Sequence, residues 1–138
     1  MSLHFERSEF GLRIKKLREL MAENELDGML LFRQESMFYL SGYDTFGYVF
    51  FQCLYLGLDG KLILLTRAID LRQAENTSII EDMRIRVDGS DSNPALMLKD
   101  ILRECVCEGQ KLGVEYDSYG LTAKNGKLLD SALDEAHK

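Results

Sequence analysis

The sequence predicts an α/β domain built on a single mixed β-sheet with helices on both faces. Three observations lead there. Short apolar runs alternate with amphipathic helical patterns along the whole chain, as in a sheet covered by helices. Two of those runs flank Asp59-Gly60, a hairpin signal that puts an antiparallel pair into the sheet. Finally, the runs at 27–32 and 50–56 are apolar at consecutive rather than alternate positions, as in strands buried on both faces.

The elements follow in order. Ser8 is a candidate cap for a first helix running to about Asn24. Phe10, Ile14, Leu17 and Met21 recur at four, three and four residues and form its buried stripe. Arg13, Lys16, Glu19 and Glu23 lie on the opposite, solvated face. DGMLLF at 27–32 is a central strand, followed by one short helical turn at 36–40. A glycine-hinged aromatic segment, SGYDTFGYVFF, leads into the strand at 50–56. The tight turn at Asp59-Gly60 follows, then a second strand ending near Arg67. AIDLRQAENT at 68–77 reads as a short helix and MRIRVD at 83–88 as a half-exposed strand. Asn93 followed by Pro94 is a clear helix start, since proline at the first helical position loses no hydrogen bond. Leu98, Ile101, Leu102 and Cys105 face inward on that helix, and Gly109 suits its end. KLGVEY is a last strand, and the helix at 122–136 aligns Leu129, Leu133 and Ala136.

Composition narrows the function classes. A chain of 138 residues makes one domain with a real core. The net charge of −6, with cations scattered along the chain, argues against a nucleic-acid partner. No apolar run approaches the roughly 18 residues needed to cross a bilayer, and the first residues lack the pattern of a signal peptide. A cytoplasmic protein with no membrane partner is the expectation. Cys53, Cys105 and Cys107 are then reduced thiols. The C-x-C pair falls in a helical pattern, where positions two apart point in different directions, so packing outweighs metal binding.

Chemistry-bearing patterns are sparse. His4 and His137 stand near opposite ends, and neither a zinc pattern nor a phosphate-cradling glycine loop occurs. DGSDSN at 88–93 has the outline of a calcium loop but lacks its sixth-position glycine, so it reads as a turn before the Asn93 cap. No serine has a histidine near it for nucleophilic work. No catalysis and no cofactor are expected from this chain alone. The aromatic segment remains. Ordinary packing accounts for it, and so does a loop offering rings and a carboxylate to a ligand or partner.

The order and wording of the elements carry a resemblance. RIKKLRELMAENELDGMLLF, then FYLSGY, then GKLILLTR with DLRQAE, and finally KLGVEYDSYGLTAKNGKLL, resemble the amino-terminal domain of the creatinase/prolidase/aminopeptidase P family of metallopeptidase-like hydrolases. The likeness runs from about Arg13 to Leu133, and within the family it leans toward the ectoine hydrolase branch. It implies a ribonuclease-H-like sheet. It also implies a non-catalytic domain, 1–138, whose catalytic pita-bread partner domain, with two divalent metal ions, is absent from this chain. It further implies a homodimer in which this domain reaches the active site of the neighbouring subunit and helps to recognise substrate. On that reading Tyr43, Phe46 and Tyr48 supply apolar walls, Asp44 pairs with a cation, and Arg67 and Arg72 are candidates for a carboxylate contact. Gly42 and Gly47 let the segment bend. The alternative is a free-standing module of the same fold that binds a small ligand or a protein.

Overall fold

The computed structural model describes residues 7–44, 51–86, 93–105, 111–115 and 121–136. It contains a five-stranded sheet in the order β4-β3-β2-β1-β5. The strands are β1 (Gly28–Leu31), β2 (Cys53–Gly57), β3 (Leu62–Arg67), β4 (Asp82–Arg86) and β5 (Leu112–Val114). β2 runs antiparallel to both β1 and β3, whereas β1 pairs with β5 and β3 with β4 in parallel. Four strands therefore point one way and β2 alone returns, which is the mixed sheet that the sequence predicts.

Among the described residues five α-helices cover the two faces: α1 (Arg7–Glu23), α2 (Gln34–Ser41), α3 (Leu71–Thr77), α4 (Pro94–Cys105) and α5 (Ala123–Ala136). Strand alternation sorts the core into two layers. Leu30, Cys53, Tyr55, Ile63 and Leu65 pack against Ala95, Leu98, Ile101 and Leu102 of α4 and Leu129 of α5. Leu31, Leu54 and Leu64 point the other way, against Met37 and Leu40 of α2 and Ala74 of α3, with Ile14 and Leu17 of α1 at the margin. Every residue of β2 is buried, because β1 and β3 flank it and helices close both faces.

Local chemistry explains most boundaries. Asn93 Oδ1 accepts the N–H groups of Ala95 (3.1 Å) and Leu96 (3.3 Å), so the sequence cap is the structural cap. Gly60 adopts φ +93° in the β2–β3 turn, where Asp59 Oδ1 accepts the Lys61 N–H at 3.0 Å. α1 ends in a left-handed residue without being glycine: Glu25 has φ +61°. The Leu26 N–H reaches back to the Met21 carbonyl (2.8 Å) and the Glu25 N–H to that of Ala22 (3.1 Å), the double closure of a Schellman end.

Several sequence expectations need correction. α1 already includes Ser8 as a helical residue. α2 spans eight residues rather than one turn, and Glu115, just past β5, accepts the N–H of Arg33 ahead of it, a contact that local sequence does not show. Arg13 does not lie on the solvated face. Its side chain is 14% exposed, its guanidinium lies 5.5 Å from the Phe10 ring and 4.5 Å from the Tyr39 ring, and Nη1 donates to the Tyr39 carbonyl at 2.9 Å. Phe10 and Met21 are fully buried as expected, while Ile14 and Leu17 are only half-buried. Cys107, Gly109 and the turn at 88–92 lie outside the described residues, as do the side chains of Cys105 and Leu133.

Candidate functional site

The topology concentrates loops at one edge of the sheet. β1, β3, β4 and β5 all end there, and β2 begins there, since Cys53 stands opposite Leu65 and Leu54 opposite Leu31. The helices that follow β1 and β3 pack on one face, and those that follow β4 and β5 on the other. Each parallel pair thus diverges into helices on opposite faces, which opens a crevice beyond its carboxyl ends, the usual location of a ligand in an open α/β sheet. Of the two positions this gives, beyond β3 and β4 and beyond β1 and β5, the structure shows a cleft at the second.

Arg67 stands at the end of β3. Its Nε donates to Asp70 Oδ2 at 2.7 Å and Nη2 to Asp70 Oδ1 at 3.3 Å, a two-pronged pair with side chains 17% and 10% exposed. The carboxylate it meets is thus that of Asp70 in the same chain, three residues away. Arg72 lies in the first turn of α3, exposed, with no hydrogen bond or ion pair from its side chain among the described residues. Asp44 is half-buried, and its backbone N–H donates to Thr77 Oγ1 at 3.0 Å.

Tyr43 occupies a different place from its expected one. The ring is fully covered in the core layer under α2 and α3. Its hydroxyl donates to Gln52 Oε1 at 2.5 Å and lies 3.3 Å from Thr66 Oγ1, which in turn donates to Gln52 at 2.8 Å. All three side chains are buried, and each satisfies another. This is the packing alternative that the sequence left open. The triad also joins the residues on either side of 45–50, because Tyr43 precedes that segment and Gln52 follows it. Phe46, Tyr48 and Gly47 lie outside the described residues. Gly42 acts as the end of α2 rather than as a hinge. It has φ +86°, and a Cβ there would stand 2.6 Å from the Thr77 carbonyl.

Sequence reasoning missed three residues at this edge. Gln52 was visible as the one polar side chain in an apolar run, and its buried partners explain it. Asp70 had a signal too, since it follows Arg67 by three residues. Glu115 had none. Its carboxylate accepts the N–H groups of Phe32 (3.1 Å) and Arg33 (2.6 Å) and the Ser36 hydroxyl (2.7 Å). It therefore caps α2 from a position more than 80 residues away by hydrogen-bond separation, which no local pattern reveals.

Two side chains near this end of the sheet have shifted titrations. Burial pushes the Cys53 thiol well up, with the Glu115 charge acting in the same direction, so it is no nucleophile. At the exposed start of α2 the backbone hydrogen bond and Arg33 hold the Glu35 carboxyl below its usual range. No group of three or more His, Cys, Asp or Glu among the described residues could hold a metal ion, so dinuclear metal chemistry has no fit in them. No helix among the described residues is long and apolar enough to cross a membrane.

Comparison with known proteins agrees with this picture. Residues 13–138 match the family model described as Creatinase/Prolidase N-terminal domain. The ectoine hydrolase of Halomonas elongata is 29% identical, covering 99% of this chain and 36% of that protein. An uncharacterized hydrolase/peptidase of Sinorhizobium fredii is 27% identical, covering 95% of this chain and 35% of its own. The chain thus spans about a third of the curated relatives it matches. Among solved structures, a dipeptidase from Mycobacterium ulcerans superposes with a TM-score of 0.74 at 18% identity, over 96% of this chain and 34% of that one. The Creatinase/Prolidase N-terminal domain of an X-Pro dipeptidase from Streptococcus pyogenes does so at 0.71 and 16%, over 89% and 88%.

Proposed function

This chain belongs to the creatinase/prolidase N-terminal domain family, and from that premise we propose that it is the non-catalytic recognition domain of a metal-dependent hydrolase acting on C–N bonds. The parent enzyme is of Xaa-Pro dipeptidase, creatinase or ectoine hydrolase type. In it the domain builds a cytoplasmic homodimer and contributes substrate contacts at the active site of the neighbouring subunit. The single observation that carries the reading is the match over nearly the whole chain to a domain that forms only a third of its curated relatives. Two divalent ions in the catalytic domain would supply Lewis-acid chemistry.

The carboxyl edge of the sheet supports the division of roles. Asp44, whose N–H is bonded to Thr77 at the end of α3, is half-buried, and Arg72 in the first turn of α3 is an exposed cation; Phe46 and Tyr48, which follow Asp44 in sequence, are the ring candidates. The buried Tyr43–Gln52–Thr66 triad holds the residues on either side of 45–50. In the parent enzyme, Asp44→Asn and Tyr48→Ala should lower kcat/KM by roughly ten- to a thousandfold with fold and metal content intact. Unchanged kinetics in both variants, measured on stable dimer, would refute the contact. The alternative, a free-standing module of the same fold that binds a small ligand or protein, predicts a native protein no longer than this chain. The mass of the native protein in cell extract distinguishes the two.

A further inference from the structure

The crevice beyond β1 and β5 is lined by none of the residues just described and does not depend on that reading. It opens into a cleft of about 720 Å³ between α1 and α2, above the sheet, within the range of small-molecule sites. Leu17, Leu20, Met29 and Tyr39 line it, and Leu20 and Tyr39 are 54% and 51% exposed, unusual for large apolar side chains beside a gap in the helix layer. Three cations, Arg13, Lys16 and Arg33, and two carboxylates, Glu35 and Glu115, stand around it; Arg13 is paired with Glu9 of α1 at 3.3 Å and Arg33 with Glu35, so Lys16 is the lining cation without an ion pair among the described residues.

The charges are not equivalent. Arg33 is paired with Glu35 at 2.8 Å, and Glu115 is occupied in capping α2. Arg13 is stacked on Tyr39 and bonded to its carbonyl. Lys16 is exposed on α1 and has no hydrogen bond or ion pair among the described residues. A single free ammonium above an apolar floor selects one negative charge attached to an apolar body.

We infer that this cleft is a binding site for a small amphipathic monocarboxylate, with its carboxylate on Lys16 and its hydrocarbon part against Leu20, Met29 and Tyr39. Hexanoate is the probe, followed by amide chemical shifts in the ¹⁵N-labelled chain. Saturable shifts should appear at Lys16, Leu20 and Tyr39. The dissociation constant should rise at least tenfold for hexylamine and in the Lys16→Glu variant. Leu20→Ser should weaken hexanoate about tenfold while leaving acetate unchanged. Both changes are on the surface of α1, and a thermal melt verifies that each variant folds. Absence of saturable shifts at 20 mM hexanoate, shifts confined to other residues, or equal affinity in Lys16→Glu would overturn the assignment.

Discussion

Replacing Tyr43 by phenylalanine separates the buried support from the recognition edge. The substitution keeps the ring, which is fully covered, and removes only the hydroxyl. That hydroxyl donates to Gln52 Oε1, which also accepts from Thr66. Gln52 keeps one partner, so the cost is that of one buried hydrogen bond, about 1–2 kcal/mol, rather than of an orphaned amide. For a chain of this size each kcal/mol lowers Tm by about 3–4 °C, which gives a drop of about 3–8 °C. Tyr43→Ala adds a cavity and should cost about 3–5 kcal/mol, a large share of the stability of an ordinary domain. Asp44→Asn keeps the backbone bond to Thr77 and should change stability by less than about 0.5 kcal/mol. Urea unfolding of the three variants reads these differences directly. In the parent enzyme Tyr43→Phe should keep its kcat/KM per folded molecule. If Tyr43→Phe melts with the wild type, or loses kcat/KM while fully folded, the triad is not the support described above.

Two further outcomes test local physics. Glu25→Gly should raise stability by about 0.5–1 kcal/mol, because glycine occupies the left-handed position at the end of α1 without strain; a thermal melt checks it. Cys53 gives a pH dependence whose sign is fixed by its raised thiol pKa. The unfolded chain releases that proton above about pH 8.5 while the native chain retains it, so stability falls as pH rises, by up to about 2 kcal/mol between pH 8 and 10. Urea unfolding of wild type and Cys53→Ala at both pH values isolates the effect, since the variant should lack this component of the loss.

The legible and illegible parts of the structure divide along physical lines. The strands, the Asn93 cap and the hairpin turn are local events, and residues adjacent in sequence specify them. The mixed sheet follows from consecutive apolar strands and one turn signal, whereas its strand order does not. By contrast, α2 is capped by Glu115, a contact that exists only once β5 lies beside β1. Arg13 looks like a surface residue on a helical wheel, yet α2 brings Tyr39 over it. Tyr43 was drawn toward a ligand because its neighbours in sequence are aromatic. Gln52, nine residues on, holds it in the core instead.

The central claim is that this domain serves the active site of a neighbouring subunit. Mixed dimers of the parent enzyme test it most directly, using one lesion in the catalytic metal site and Asp44→Asn as the second. With the lesions on different subunits, the intact domain of one subunit faces the intact metal site of the other, and about half the wild-type activity should remain, one working site of two. With both lesions on the same subunit, the surviving metal site faces the altered domain, and activity should fall at least tenfold further. Equal activity in the two arrangements, or the reverse order, would contradict the account.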